Sequence, residues 1–234
     1  MGKVILKLDN VSYRYDDAEA DDYVLKDINY SFETGKVYAI KGKSGSGKTT
    51  LLSFLSGLEN NYEGSIEFAG KELKNIDLDN YRSRDIGIVF QSYNLLPHLT
   101  AIENIILSMN VSNLNIANKE EQAISLMEKV GLTKNQKDRR VLKLSGGEQQ
   151  RVAIARSLSY NPLMILADEP TGNLDKETEN EILKIFKNLA KEDKCIIIVT
   201  HSENVCDQAD IVYELVKNKK KRSWVCKKFC VNGI

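Results

Sequence analysis

The stretch KVYAIKGKSGSGKTTLL, Lys36 to Leu52, changes character twice. A strand-like apolar run, KVYAIKG (Lys36–Gly42), meets a glycine-rich turn. The turn then opens a helix near Lys48 whose Leu51, Leu52 and Leu55 recur at the spacing of one buried face. GKSGSGKT, Gly42 to Thr49, fits G-x-x-x-x-G-K-[ST] and stands in the strand–turn–helix context which that pattern requires. Glycines let the backbone curl so that successive N–H groups converge on phosphate oxygens. The spacing therefore marks Gly42, Ser44, Gly45, Ser46, Gly47, Lys48, Thr49 and Thr50 as candidate phosphate contacts. Lys48 would reach the terminal phosphates, and the Thr49 hydroxyl would face Mg²⁺. The plainer alternative, a glycine turn with a lysine at the helix start, leaves the spacing unexplained.

On either side of this stretch the chain alternates strands with helices. VILKL (Val4–Leu8), VLKDINYSF (Val24–Phe32), SIEF (Ser65–Phe68) and DIGIVFQ (Asp85–Gln91) read as strands. Helical patterns between Ala101 and Val130, broken by SNLNIANK, suggest a helical subdomain inserted at about residues 92–158. PLMILADEP and CIIIVTH are nearly continuous apolar runs, the pattern of central parallel strands covered on both faces. Between them a helix is expected from about Lys176 to Ala190, and ADIVYELV is expected as the last strand. This order predicts an α/β fold with a parallel sheet.

The composition excludes several classes. Hydrophobic residues make up 42% of 234, and Lys plus Arg equals Asp plus Glu at 33 each, so no global field favours nucleic acid. No span reaches the length of apolar sequence that crosses a bilayer. The start, MGKVILKLDN, is charged and alternating, unlike a secretory signal. Cys195, Cys206, Cys226 and Cys230 match no zinc or disulfide spacing and read as free thiols, although Cys226 and Cys230 would face each other in a helical tail. Two local biases stand out: the acidic run Asp16–Asp22, expected in a solvated loop, and a basic C-terminal tail, 217–234. That tail is expected to be a solvated face or a contact for anionic lipid or an acidic partner.

Further chemistry-bearing residues fall at strand ends. Asp168 and Glu169 emerge where LMILA ends, at the sheet edge where open α/β folds bind ligands. Burying two adjacent carboxylates is costly without a cation, so Asp168 is expected to hold metal and Glu169 to polarise an attacking water. His201 ends the neighbouring strand, within reach of the γ-phosphate beside Glu169, or is a satisfied core histidine. Gln91 follows IGIVF and touches metal or water, or is a surface glutamine. LSGGEQQRVAIARSL, Leu144 to Leu158, opens on Ser145 and Glu148, the spacing of a capping box. A cap alone does not require Gly146 and Gly147, and a bare helix start is also an anion site.

Taken together these elements resemble the ATPase domain of the ATP-binding cassette (ABC) superfamily, over roughly Val4 to Leu215. The resemblance implies a P-loop NTPase core with a parallel sheet, an N-terminal antiparallel β subdomain and the inserted helical subdomain, all within 1–216. It makes GKSGSGKT the Walker A loop, LMILADE the Walker B strand and LSGGEQQ the ABC signature. It further implies that Gln91 is the Q-loop residue, Asp175 of GNLD the D-loop aspartate and His201 the switch histidine. Tyr15 of SYRY would stack on adenine, with Tyr13, two residues earlier, as the rival. In such a family two copies pack head to tail, so Ser145, Gly146 and Gly147 would meet the γ-phosphate of ATP held by the opposite subunit. QSYNLLPHLTAIENI and ADEPTGNLD resemble a branch that serves lipoprotein release, macrolide or antimicrobial-peptide export, and a cell-division complex. The expected partners are thus ATP with Mg²⁺, a second copy and separate transmembrane permease subunits, at the cytoplasmic face of a bacterial membrane. A division complex that signals without transport is the alternative.

Overall fold

The computed structural model describes residues 2–15, 22–218 and 223–230. The acidic run at 16–21 and the basic stretch at 219–222 lie outside them, as do 231–234.

Strands β1 (Val4–Tyr13) and β2 (Leu25–Glu33) pair antiparallel, and β3 (Val37–Gly42) then enters a second sheet. Helix α1 (Lys48–Leu55) follows. The chain returns through β4 (Glu63–Phe68) and the short β5 (Lys71–Glu72) to complete a four-stranded sheet of order β2-β1-β4-β5. After α2 (Leu78–Asn80) and a π-helical turn at Tyr81–Asp85 comes β6 (Ile86–Val89). The segment between β6 and β7 (Met164–Asp168) carries α3 (Ala101–Val111), α4 (Lys119–Lys129) and α5 (Gly146–Ser157), the region expected to be a helical insertion. Next come α6 (Lys176–Lys191), β8 (Cys195–Thr200), α7 (Glu203–Gln208), β9 (Ile211–Asn218) and β10 (Ser223–Cys230).

The six-stranded sheet has the order β10-β9-β3-β8-β7-β6, parallel from β9 to β6. Its central strands are buried on both faces, which is why they read as unbroken apolar runs. Because side chains alternate along a strand, each run splits between two cores. Ala39, Ile165, Ala167, Ile196 and Ile198 face the helical side with α3, α5 and α6. Tyr38, Ile40, Leu166, Ile197 and Val199 face α1 and the antiparallel sheet. The parallel strands therefore end together on one edge, and Gly42, Asp168 and Thr200 are their last residues.

The C-terminal segment departs from the expected tail. Ser223–Cys230 is a strand, not a helix, and pairs antiparallel with β9 from Ser223↔Asn218 to Cys230↔Ile211. The lysines hid it from a search for apolar runs, yet lysine is a common residue on edge strands, where it discourages pairing with another chain. Cys195 and Cys206 are free and buried, as the spacings suggested.

Candidate active site

A cleft of about 400 Å³ opens at the strand edge between the β3–α1 loop, β7 and the start of the β2 segment. Gly45 and Gly47 take φ of 73° and 84°, the left-handed region where glycine has no steric penalty. Gly47 is the N-cap of α1; no side chain caps the helix and no acid lies in its first turn. The helix amides therefore face the cleft, positive end outward. A side chain at 42 would bring Cβ within 2.3 Å of Ser46 Oγ. That hydroxyl is buried without a hydrogen-bond partner among the described residues. Lys48 Nζ donates to the carbonyls of Gly42 (2.8 Å) and Lys43 (3.1 Å), which holds the ammonium over the loop with its third proton free for an anion.

Tyr15 stands at the rim, 54% exposed, just past the end of β1. Tyr13 is half-buried: its ring meets Phe54 edge-on at 5.1 Å and Tyr15 at 5.3 Å. Tyr13 is thus the support, and Tyr15 is the ring presented to the cleft.

At the opposite wall Asp168 ends β7, and Glu169 follows with φ 45°, a strained value for a residue with a Cβ. Glu169 is fixed by three bonds. His201 Nδ1 lies 2.8 Å from Oε1, while Thr200 Oγ1 (3.2 Å) and the His201 amide (3.3 Å) donate to Oε2. His201 itself is open to solvent, its side chain 69% exposed against 14% for Glu169. Burial and then the adjacent Glu169 charge push the Asp168 carboxyl above the usual carboxylate range, with Lys48 opposing them. Among the described residues no cluster of three His, Cys, Asp or Glu could hold a metal alone. The hydroxyl of Thr49, the carboxylate of Asp168 and the amide of Gln91 all line the cleft. Such a sparse, hard oxygen set fits Mg²⁺, which keeps waters and shares its shell with substrate phosphates. Gln91 Nε2 donates to Asn173 Oδ1 (3.4 Å), so its carbonyl oxygen is the end not engaged there.

Ser145, Gly146, Gly147 and Asp175 do not line this cleft. Ser145 caps α5 in a complete capping box: its hydroxyl accepts from the Glu148 amide (3.2 Å), and Glu148 accepts from the Ser145 amide (2.7 Å). The glycines have a local reason as well. A Cβ at 147 would lie 2.6 Å from Thr178 Cγ2, and one at 146 would lie 3.0 Å from Tyr93 Oη. Asp175 caps α6 through the Thr178 amide (3.0 Å) and hydroxyl (2.9 Å), bonds that hold its carboxyl below the usual range. Sequence reading did not single out Val24 on the cleft wall, Asn173 on Gln91 or Thr200 on Glu169. Only Thr200 carried a signal, as the last residue of an apolar strand beside His201.

A larger hollow, about 470 Å³, lies between Arg82, α3 and Tyr160. It has no glycine loop, no bare helix start and no carboxylate pair, features that the smaller cleft combines.

The family model described as ABC transporter matches residues 25–172. The chain belongs to the ABC transporter family. It is an ATP-binding subunit of that family and an ATP hydrolase. An uncharacterized ABC transporter ATP-binding protein of Bacillus subtilis, YclH, is 45% identical over 88% of this chain and 91% of its own length. The lipoprotein-releasing system ATP-binding protein LolD of Francisella tularensis is 39% identical over 92% of this chain and 95% of its own. The dimeric structure of MJ0796, a bacterial ABC transporter cassette, matches this ATPase with a TM-score of 0.85 at 33% identity, covering 98% of this chain and 100% of that one. A second dimeric structure of the same cassette is a post-hydrolysis state bound to ADP and Pi.

Proposed function

We propose that this ATPase subunit powers export or extraction of a peptide, lipoprotein or drug-like substrate through separate membrane subunits. It would act at the cytoplasmic face of the membrane as a head-to-tail dimer with ATP between the copies. The observation that carries this reading is the split between two sites. The cleft holds Lys48, Thr49, Asp168 and Glu169 together, whereas the signature amides of Ser145–Gly147 stand outside it. Relatives support the direction of transport, since one is named for lipoprotein release. The permease contact is assigned to the helical insertion and the Gln91 segment; on the insertion, the larger hollow opens beside Val111, 64% exposed.

In this mechanism Tyr15 stacks on adenine, and the amides of Ser44–Thr50 gather the phosphates. Thr49, Asp168 and Gln91 would hold Mg²⁺, which supplies charge neutralisation across the phosphates when bound. Glu169 orients water for in-line attack, Lys48 offsets the charge developing on the transferred phosphoryl, and His201 keeps the Glu169 carboxylate aimed. Ser145 and Gly147 of the opposite copy complete the γ-phosphate site. Ser145 still has its hydroxyl proton to donate, because its capping bond uses the oxygen as acceptor.

Glu169→Gln removes the carboxylate but keeps the side chain's size, so it is expected to bind ATP and accumulate as a dimer. Adding Ser145→Arg is expected to abolish that dimer while ATP still binds the monomer. Size-exclusion chromatography with light scattering, with and without ATP, reads both. A double variant that dimerises as fully as Glu169→Gln overturns the shared site.

A further inference from the structure

Glu179, on the first turns of α6, is a buried carboxylate that the mechanism above does not use. It is 8% exposed, and among the described residues it forms no ion pair with Lys, Arg or His. Three neutral donors from other segments meet it instead. Thr171 Oγ1 (3.1 Å) and Ser202 Oγ (2.8 Å) both donate to Oε1, and Asn204 Nδ2 (2.8 Å) donates to Oε2. A buried charge is stable only when its lone pairs are satisfied. A carboxylate, with acceptor lone pairs on both oxygens, suits three converging donors.

The identity of those donors gives Glu179 its relevance. Thr171 lies two residues after Glu169, and Ser202 directly follows His201. From Ser202 the bonds continue to the reaction edge. The Ser202 amide donates to Thr200 Oγ1 (3.0 Å), and the Thr200 hydroxyl donates to Glu169 Oε2 (3.2 Å). One oxygen of Glu179 therefore ties together the loop after Glu169 and the loop carrying His201. We propose that Glu179 is a positioning residue for ATP hydrolysis, setting Glu169 and His201 in their paired geometry through Thr171 and Ser202. This rests on the roles given above to Glu169 and His201.

The test compares Glu179→Ala and Glu179→Gln, each alone and with His201→Ala, by steady-state hydrolysis and by binding of a fluorescent ATP analogue. Glu179→Ala strands the hydroxyls of Thr171 and Ser202, and kcat is expected to fall roughly 10- to 100-fold, the scale of a small misplacement at a reacting centre. KM and analogue affinity are expected to stay within about twofold, because Glu179 does not touch the cleft. Glu179→Gln keeps an oxygen for Thr171 and Ser202 and loses only the Asn204 bond, so it restores most of kcat. The part of its effect that runs through His201 is gone once the histidine is removed, so in the His201→Ala background Glu179→Ala is expected to cost clearly less than it does alone, the remainder being its hold on Glu169. Ser202→Ala removes a donor without disturbing the buried acid, and it is expected to lower kcat alone even where Glu179→Ala folds poorly. Unchanged kcat in Ser202→Ala, equal losses in the Gln and Ala variants, or losses that multiply with His201→Ala each overturn the proposal. A normal kcat in His201→Ala alone refutes the histidine's role and takes this inference with it. A slow His201→Ala beside a normal Glu179→Ala refutes only the inference.

Discussion

In the loop before α1, Gly45 and Gly47 adopt left-handed φ of 73° and 84°, whereas at the start of α5 Gly146 and Gly147 are flanked by Tyr93 and Thr178, which leave little room for a side chain. Glycine serves backbone shape in the first region, with Leu25 also close at Gly47, and close packing alone in the second. The polar groups differ in the same way. Around the cleft the groups are held against their preference: Glu169 at positive φ, Asp168 with its carboxyl pushed up by burial, and the Ser46 hydroxyl without a partner among the described residues. The start of α5 is self-satisfied, with its capping box closed by Ser145 and Glu148. A site that binds its ligand within one chain carries unsatisfied chemistry, and a surface proposed to meet another copy must be stable meanwhile.

The largest effect expected from this contrast is at Asp168. Asp168→Asn removes a buried charge beside Glu169, so the protein without nucleotide is expected to melt higher than the parent at neutral pH. The folded value of this acid lies above its unfolded one, so ionisation opposes folding at neutral pH. The stabilisation by Asn is therefore expected to fade as pH falls through the raised value and to vanish below the unfolded one. Hydrolysis is expected to drop roughly a hundredfold or more, because the carboxylate proposed to hold Mg²⁺ is lost. Calorimetry across pH together with phosphate release checks both. A variant that melts lower than the parent at neutral pH would mean that Asp168 is satisfied as it stands, and the contrast fails.

Next in size is Gly147→Ala, which places Cβ against Thr178 Cγ2 and is expected to cost about 1–3 kcal/mol, as overpacking does. Thr178→Ser deletes that methyl and keeps a hydroxyl for Asp175, so the double variant is expected to regain its melting temperature. Hydrolysis is not expected to return, because the added methyl still covers amides proposed to serve the opposite copy. If activity recovers with stability, Gly147 answers only to packing and the second region has no role beyond its own helix.

The same contrast explains what could be read without coordinates. The β3 loop, β7 and β8 were legible because motif spacing and doubly buried strands leave unbroken patterns. The capping box was legible because it is local. Sheet order was not, since β3 sits between β8 and β9 through crossovers that no residue spacing encodes. β10 was masked by its lysines. Glu179 looked like one more acid in KETENEIL, although helical spacing does set it on the stripe of Ile182, Leu183 and Phe186, all buried. Contact between Gly147 and Thr178 joins residues far apart in sequence and leaves no trace in either motif.

The smallest expected effect tests where β1 ends. Alternation along a strand would turn Tyr13 and Tyr15 to the same face, but β1 stops at Tyr13, and Tyr15 lies beyond it, free of that rule. Tyr15 is 54% exposed, so Tyr15→Ala removes little buried surface and is expected to leave the melting temperature nearly unchanged. Loss of an aromatic stack contributes on the order of 1 kcal/mol, so ATP binding is expected to weaken several-fold, with Tyr15→Phe neutral. Tyr13→Ala is expected to do the reverse: it removes one of the two rings that meet Phe54 edge-on, leaving Tyr62, and lowers stability, while its effect on ATP comes only through the support it gives Tyr15. Analogue titration beside thermal melts separates the two. Should Tyr13→Ala weaken binding at unchanged stability while Tyr15→Ala does nothing, adenine sits on the inner ring and the rim assignment of Tyr15 is wrong.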